Sequence, residues 1–136
     1  MSTQQQDDTE LLAVAKVARA FAYAPYSHFK VGAALKLTDA RIFSGVNVEN
    51  ASYPMSVCAE RNAVAAAVNA GKRSIDAVAV VSRADDPTPP CGGCRQVLNE
   101  FGPDMAVMVE SGNGQRAEWR LTEILPHAFG PANLGK

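Results

Sequence analysis

Two short stretches, Cys58-Ala59-Glu60 and Pro90-Cys91-Gly92-Gly93-Cys94, contain all three cysteines of this 136-residue chain. Three thiolates can bind Zn²⁺ and leave its fourth tetrahedral position open for water, which distinguishes a catalytic zinc site from a closed structural one. Glu60 is not needed as a ligand, and a carboxylate beside that water can transfer protons. The pattern therefore predicts a fold that brings two distant segments together around one catalytic zinc ion.

Two other interpretations of the cysteines are weaker. A structural zinc site generally uses a fourth Cys or His, and His28 and His127 are the two histidines of the chain. Each stands alone in the sequence, so we assign neither as a ligand. A thioredoxin-like redox pair formed by Cys91 and Cys94 would fit the turn between them but would leave residues 58–60 unexplained.

Composition and charge restrict the class of protein. A chain of 136 residues that is 47% hydrophobic is the size of one compact domain with a core of its own. Its 13 basic and 14 acidic residues give a formal net charge of −1. A protein that binds DNA or RNA is usually more basic, so we expect no nucleic-acid polymer as a partner.

The cysteine content and the N-terminus indicate the compartment. No apolar run is long enough to cross a bilayer, and the polar, acidic N-terminus does not resemble a signal or transit peptide. Three cysteines without an export signal favour metal binding in a reducing compartment. We therefore expect a cytoplasmic protein without membrane contact, with a disordered polar tail over residues 1–8 and a single domain over residues 9–136.

Hydrophobic spacing predicts alternating helices and strands. Apolar residues from Leu11 to Phe21 recur at helical spacing, with Asp8 or Thr9 as the N-cap and Pro25 beyond the end. Further helices are expected over residues 57–70, 94–101 and 121–125. Strands are expected over residues 29–37, 41–48, 75–81, 105–109 and 117–120.

The order of these elements predicts an α/β fold. The first two strands form an antiparallel hairpin, and the later β and α elements alternate into parallel pairing. The expected architecture is a mixed sheet of about five strands flanked by helices.

The predicted helix starts favour ionised thiols. Cys58 begins one helix, and Cys91 and Cys94 begin another, so the positive ends of two helix dipoles lower the pKa of the thiols. Three thiolates around Zn²⁺ still leave a net charge of −1. Arg61, next to the first motif, is the residue expected to offset it.

Five segments of the chain carry a recognisable combination of motifs. The segments are Tyr26-Ser27-His28-Phe29-Lys30-Val31-Gly32-Ala33-Ala34, Gly45-Val46-Asn47-Val48-Glu49-Asn50-Ala51-Ser52-Tyr53, Cys58-Ala59-Glu60-Arg61, Pro90-Cys91-Gly92-Gly93-Cys94-Arg95-Gln96-Val97 and Leu125-Pro126-His127-Ala128-Phe129-Gly130-Pro131. Together they resemble the cytidine deaminases, in their short, three-cysteine, homotetrameric class. The resemblance runs from about residue 23 to residue 131, and the cysteine motifs are also the general signature of zinc-dependent nucleobase deaminases.

The resemblance implies a cytidine deaminase-like three-layer α/β/α fold, a nucleoside substrate and one Zn²⁺ per chain held by three cysteines. Glu60 would be the catalytic acid and base, and the backbone of Ala59 would read the base edge. Phe29 would stack on the pyrimidine, while Asn47 and Glu49 would hold the ribose 3′-hydroxyl. Side chains at positions i and i+2 of a strand share one face, which agrees with that last assignment.

The remaining family positions concern charge and assembly. Arg61 and Gln96 match residues that partly neutralise the negative charge of the thiolates. Ala51, Tyr53 and Phe129 match positions that reach a neighbouring subunit's site, which implies a homotetramer with composite active sites.

The implied activity is a hydrolysis in pyrimidine salvage. Glu60 accepts a proton from the zinc-activated water, and water adds to C4 of cytidine or 2′-deoxycytidine. Collapse then releases ammonia and leaves uridine or 2′-deoxyuridine. The sequence does not rank the two substrates, because the assigned sugar contacts concern the 3′-hydroxyl.

Three alternatives remain open at this point. A blasticidin S-type deaminase shares the cysteine motifs but differs after Asn-Val, where this chain has Glu49-Asn50-Ala51-Ser52-Tyr53. A polynucleotide-editing deaminase would show basic strips and usually a histidine in place of Cys58. A non-catalytic, zinc-stabilised module would keep the metal but tolerate loss of Glu60.

Overall fold

The computed structural model describes residues 2–136, in which helices alternate with single strands or strand pairs. The helices are α1 (Thr3–Arg19), α2 (Ala59–Asn69), α3 (Gly92–Asn99) and the short α4 (Leu121–Ile124). The strands are β1 (Gly32–Leu37), β2 (Ile42–Val46), β3 (Ile75–Val81), β4 (Ala106–Glu110) and β5 (Arg116–Arg120). Across residues 2–136, none of the helices is long and apolar enough to cross a membrane.

The five strands form one mixed sheet in the order β2-β1-β3-β4-β5. Among the strands of residues 2–136, β3 and β4 are the one pair that runs parallel, and α3 lies between them in the chain, as a parallel crossover requires. The antiparallel hairpin of β1 and β2 is confirmed, with Gly32 opposite Val46 and also opposite Val81 on the other side. The start of β1 and the ends of β2 and β3 therefore lie side by side along one edge of the sheet, the edge at which strands begin and end.

Helices cover both faces of the sheet, which confirms the three-layer architecture. Strand β3 alternates between the two faces: Val78 and Val80 pack in the core shared with α2 and α3, whereas Ala79 and Val81 pack in the core shared with α1. Apart from the exposed Asp76, the residues of β3 are buried, and the run from Ala77 to Val81 is entirely apolar, as expected of a strand that is covered on both faces.

The start of α1 differs from the prediction. The helix begins at Thr3 rather than after Asp8, so residues 3–8 are helical and not a disordered tail. The reason is a capping box that sequence reasoning overlooked: the Ser2 hydroxyl accepts the Gln5 N–H at 3.1 Å, and the Gln5 side chain accepts the Ser2 N–H at 2.9 Å.

Other boundaries move by two or three residues for local reasons. Strand β1 begins at Gly32 rather than Phe29 because the Val31 N–H donates to the Asn47 side chain at 2.8 Å and not to a neighbouring strand. Helix α3 begins at Gly92 rather than Cys94 because Cys91 already has the extended backbone of an N-cap, with φ −63° and ψ 165°.

The close approach of α2 to β2 depends on Gly45. A Cβ at this position would lie 2.4 Å from the Ala63 nitrogen and 2.6 Å from the Ala59 oxygen. Both atoms belong to the backbone of α2, so neither can rotate away. The absence of a side chain at Gly45 therefore fixes how closely the first turns of α2 lie against the sheet.

We predict that Gly45→Ala pushes α2 away from the sheet and destabilises the zinc-loaded protein by about 2 kcal/mol or more. Urea unfolding, with zinc content measured in the same sample, checks this. Gly92→Ala is the matched control, since a Cβ there meets nothing within 4 Å. Wild-type stability and zinc content in Gly45→Ala would contradict the role of the close approach.

Candidate metal centre and active site

The three thiols converge at the starts of two helices. Cys58 is the N-cap of α2, Cys91 is the N-cap of α3, and Cys94 lies in the first turn of α3. Neither N-cap side chain bonds to its own helix, which leaves both sulfur atoms free for another role. The three Sγ atoms lie within 4.8 Å of one another. The predicted juxtaposition of the two motifs is confirmed.

The donor set fits a zinc ion. Ligands of a tetrahedral Zn²⁺ with bonds of about 2.3 Å to sulfur lie about 3.8 Å apart, so the cluster needs only a small contraction to reach that spacing. Three sulfur donors at this spacing leave the fourth coordination position open. This arrangement fits a catalytic zinc ion better than a closed structural one.

The thiols share protons when no metal holds them. Hydrogen bonds from the Cys94 and Cys91 thiols, assisted by the Arg61 guanidinium, lower the pKa of Cys58 to about 6 against the cost of burial. The same contact raises the pKa of Cys94, which remains a protonated donor. A metal that binds all three as thiolates must displace these protons, so its affinity rises with pH.

Glu60 is buried beside this cluster, with 6% of its surface exposed. Burial raises the pKa of its carboxyl above the ordinary 4.5, and the nearby Cys58 charge acts in the same direction. Hydrogen bonds from its own backbone N–H and from Cys94 partly oppose that shift. A carboxyl with a raised pKa can both accept and return a proton near neutral pH.

The thiols and Glu60 line a cavity of about 300 Å³. That volume is at the lower end for small-molecule sites. The predicted residues Phe29, Asn47 and Ala59 also line it. Residues that the sequence analysis did not assign complete the wall: Val31, Val80, Ser82, Thr88, Pro89 and Pro90.

A larger, apolar groove of about 580 Å³ lies elsewhere, between α1 and β2. Val14, Val17 and Phe21 are among the residues that line it. Among the described residues, Glu10 is the one ionisable side chain of that lining, whereas the thiol cavity combines three thiols with a carboxyl. The smaller thiol cavity is therefore the candidate active site, because it contains the groups that can bind a metal and transfer protons.

Asn47 and Glu49 lie beyond the end of β2 at Val46, and not within the predicted strand over residues 41–48, but both bond to the same neighbouring segment, residues 26–31. The Asn47 amide accepts from the Val31 N–H and donates to the Phe29 carbonyl, both at 2.8 Å. Glu49 lies outside the thiol cavity, in an adjacent depression that also contains Tyr26, Tyr53 and Ser56. A hydrogen bond from the Ser27 hydroxyl is the main cause of the lowered pKa of Glu49.

The two residues expected to temper the thiolate charge occupy different positions. Arg61 is exposed in the first turn of α2 and acts on Cys58 through its charge. Gln96 donates its side-chain N–H to the Phe129 carbonyl at 2.8 Å, so it holds the C-terminal segment in place.

The three residues expected to reach a neighbouring subunit do not line the thiol cavity of their own chain, as far as residues 2–136 describe it. Ala51 is exposed, and Tyr53 and Phe129 expose 71% and 61% of their surfaces. Tyr53 contacts Tyr26 edge to face, with ring centroids 6.0 Å apart. Large exposed aromatic rings beside a site are available to a second molecule.

Arg95 connects the metal-binding loop to the C-terminal segment, a role that the sequence analysis missed. Its Nε donates to the Pro90 carbonyl at 2.7 Å, and its Nη1 donates to the Ile124 carbonyl at 2.8 Å. The sequence offered no signal for this, because an arginine in the first turn of a helix usually lies on the surface. Here the guanidinium is half-buried and fixes the loop that delivers Cys91.

Comparison with known proteins gives one consistent family. Residues 5–110 match the model of the cytidine and deoxycytidylate deaminase zinc-binding region. A cytidine deaminase of Sporosarcina psychrophila is 45% identical over 129 residues, which cover 94% of this chain and 95% of that protein.

Solved structures that resemble this chain belong to the same family. The 1.6 Å crystal structure of a cytidine deaminase from Burkholderia pseudomallei superposes with a TM-score of 0.86 at 45% identity, over 95% of this chain and 100% of that one. The cytidine deaminase from Mycobacterium tuberculosis gives a TM-score of 0.79 at 40% identity, over 91% and 98% of the two chains.

We predict that Arg95→Ala weakens zinc binding by about tenfold to a hundredfold, as loss of support around a metal ligand typically does. The Pro90 and Ile124 carbonyls lose their donor, and the loop before Cys91 loosens. Competition with a chromogenic chelator measures the affinity without any need for turnover. Arg83→Ala, at an exposed arginine, is the matched control, and unchanged affinity in Arg95→Ala would refute the connection.

Proposed function

This chain belongs to the family of cytidine and deoxycytidylate deaminases, and we propose that it catalyses the zinc-dependent hydrolytic deamination of cytidine and 2′-deoxycytidine. The products are uridine or 2′-deoxyuridine and ammonia. One observation carries the proposal: three thiols that fit an open zinc site share a cavity with a buried carboxyl, Glu60. The related proteins from Sporosarcina, Burkholderia and Mycobacterium are each named as cytidine deaminases.

Cys58, Cys91 and Cys94 would hold one Zn²⁺ per chain. When bound, the ion supplies Lewis acidity that lowers the pKa of water enough to provide a nucleophile near neutral pH. The starts of α2 and α3 offset part of the thiolate charge through their dipoles, and Arg61 adds a full positive charge. Because thiolate ligands persist in a reducing compartment, we expect a cytoplasmic enzyme.

Glu60 would carry the protons. It accepts a proton from the attacking water and delivers it to N3 of the pyrimidine as the C4–O bond forms. It then moves the remaining hydroxyl proton to the amino group, the C4–N bond breaks and ammonia leaves. Burial suits Glu60 to both roles, because a raised pKa lies nearer to the operating pH.

The other cavity residues would orient the nucleoside. The Phe29 ring offers a face for the pyrimidine, and the Ala59 backbone lies beside the ligand Cys58. Asn47 uses one donor and one acceptor within the chain, so its amide retains one N–H for the ribose 3′-hydroxyl. Glu49 is the second group proposed for that hydroxyl.

Turnover and metal content test the proposal together. We expect the purified protein to contain about one zinc per chain and to deaminate cytidine and 2′-deoxycytidine, but neither CMP nor blasticidin S, in an ultraviolet assay. Glu60→Gln should retain zinc and fold but lose about a thousandfold or more of the activity. Full zinc with no turnover of any of the four would disprove the proposal in favour of a binding module.

We further propose that the protein is a homotetramer whose active sites include Ala51, Tyr53 and Phe129 of neighbouring subunits. The high exposure of Tyr53 and Phe129 and their position outside the thiol cavity of their own chain support this. Since Gln96 holds the backbone of Phe129, the ring would be presented outward in a fixed position.

Subunit mixing tests the composite site. We expect light scattering to give the mass of four 14.4 kDa chains. We also expect Glu60→Gln and Phe129→Ala to be impaired separately and to recover activity when unfolded and refolded together. Recovery requires that a site combine Glu60 of one chain with Phe129 of another. A monomer mass, or no recovery on mixing, would rule out the composite site.

A further inference from the structure

The segment that carries Phe29 lies outside the strand ladder and is held mainly by side chains. Residues 26–31 precede β1, and most of the polar atoms that fasten them come from Asn47 and Glu49, beyond the end of β2. The backbone of Asn47 adds one bond to this set, from its N–H to the Val31 carbonyl at 3.3 Å. Asn47 holds the second half of the segment through Phe29 and Val31. The first half must be fixed by other contacts.

Glu49 fixes the first half through one of its carboxylate oxygens. Its Oε1 accepts the Tyr26 N–H at 3.0 Å and the Ser27 N–H at 3.1 Å. Two consecutive backbone N–H groups thus point at one carboxylate, which makes these bonds charge-assisted. The other carboxylate oxygen, Oε2, accepts the hydroxyl of Ser27.

The Ser27 hydroxyl passes this contact on to Phe29. It donates to Glu49 and also accepts the Phe29 N–H at 2.9 Å. A hydroxyl can do both at once, because it has one hydrogen and two lone pairs. Ser27 is therefore the link between the carboxylate and the residue whose ring lines the cavity.

The backbone at His28, between Ser27 and Phe29, has a conformation that needs support from neighbouring groups. His28 has a φ of 60°, in the left-handed region that residues with a Cβ rarely adopt. Its N–H donates to the Ala24 carbonyl at 3.0 Å, which closes the turn. A conformation of this kind persists when its surroundings fix it on both sides, and Ser27, which precedes His28, bonds to Phe29, which follows it.

We propose that Ser27 is a positioning residue for substrate recognition, which acts by linking Glu49 to the Phe29 backbone and so setting the Phe29 ring at the wall of the thiol cavity. The proposal rests on the deaminase function proposed above. Phe29 exposes 42% of its surface, so packing alone does not fix the ring. The polar link supplies the restraint that packing lacks.

The link itself can be tested without substrate. In zinc-loaded Ser27→Ala we expect faster amide hydrogen exchange in the peptide that covers residues 24–31, since the Phe29 N–H loses its acceptor. Exchange in β3 should not change. Ser27→Thr retains the hydroxyl and should exchange like the wild type. Ser44→Ala makes the same change at an exposed serine of β2 and is the matched control.

Kinetics then test the role in recognition. In Ser27→Ala we expect KM for cytidine to rise about tenfold, because substrate binding must then order the segment, at a cost comparable to the charge-assisted hydrogen bond that was lost. We expect kcat to change less than KM and zinc content to stay the same. Ser27→Thr should recover most of the affinity, which a role limited to general folding does not predict.

Each other outcome overturns the proposal. Unchanged exchange in residues 24–31 would show that Ser27 does not fix the segment. Altered exchange with unchanged KM would show that the segment does not orient the substrate. Loss of kcat or of zinc at constant KM would place Ser27 with the metal centre. If the wild-type enzyme itself does not deaminate cytidine, the proposed function fails, and the exchange measurement still decides whether the link exists.

Discussion

The close approach of three sulfur atoms from two distant segments is the constraint around which the site is built. Cys58, Cys91 and Cys94 lie within 4.8 Å of one another, a distance at which three unscreened thiolates would repel strongly. Without a metal the cluster avoids this by keeping protons, as the opposed pKa shifts of Cys58 and Cys94 indicate. A divalent cation removes the repulsion, so metal binding and correct folding of this region support each other.

The scaffold has to hold two helix starts at one edge of the sheet. Helix α2 achieves this by lying directly on β2, which is possible because Gly45 has no side chain. The loop before α3 has no such packing and depends on the Arg95 guanidinium, which bonds to the carbonyls of Pro90 and Ile124. Cys58 is therefore placed by backbone packing, and the loop that delivers Cys91 is held by a charged side chain.

At the same edge of the sheet, the Phe29 wall of the thiol cavity is built from different interactions. Phe29 belongs to a segment that no strand holds, and Asn47, Glu49 and Ser27 secure it through hydrogen bonds. Hydrogen bonds at half-exposed positions exchange with water and are weaker constraints than a packed core. The position of Phe29 thus depends on a few polar contacts, whereas the thiols lie on helices that pack against the sheet.

Sequence alone determined the succession of helices and strands along the chain, because this follows from local hydrophobic spacing. It also determined that the three clustered residues are cysteines and that Cys58 and Cys91 lie at helix starts. It missed the helical residues 3–8, where Ser2 and Gln5 cap each other, since a polar run looks the same in a disordered tail. Tertiary structure alone decided the burial of Glu60 and the bonds of Arg95. Those depend on which distant segments meet, and a periodic pattern carries no information about contacts between residues far apart in the chain.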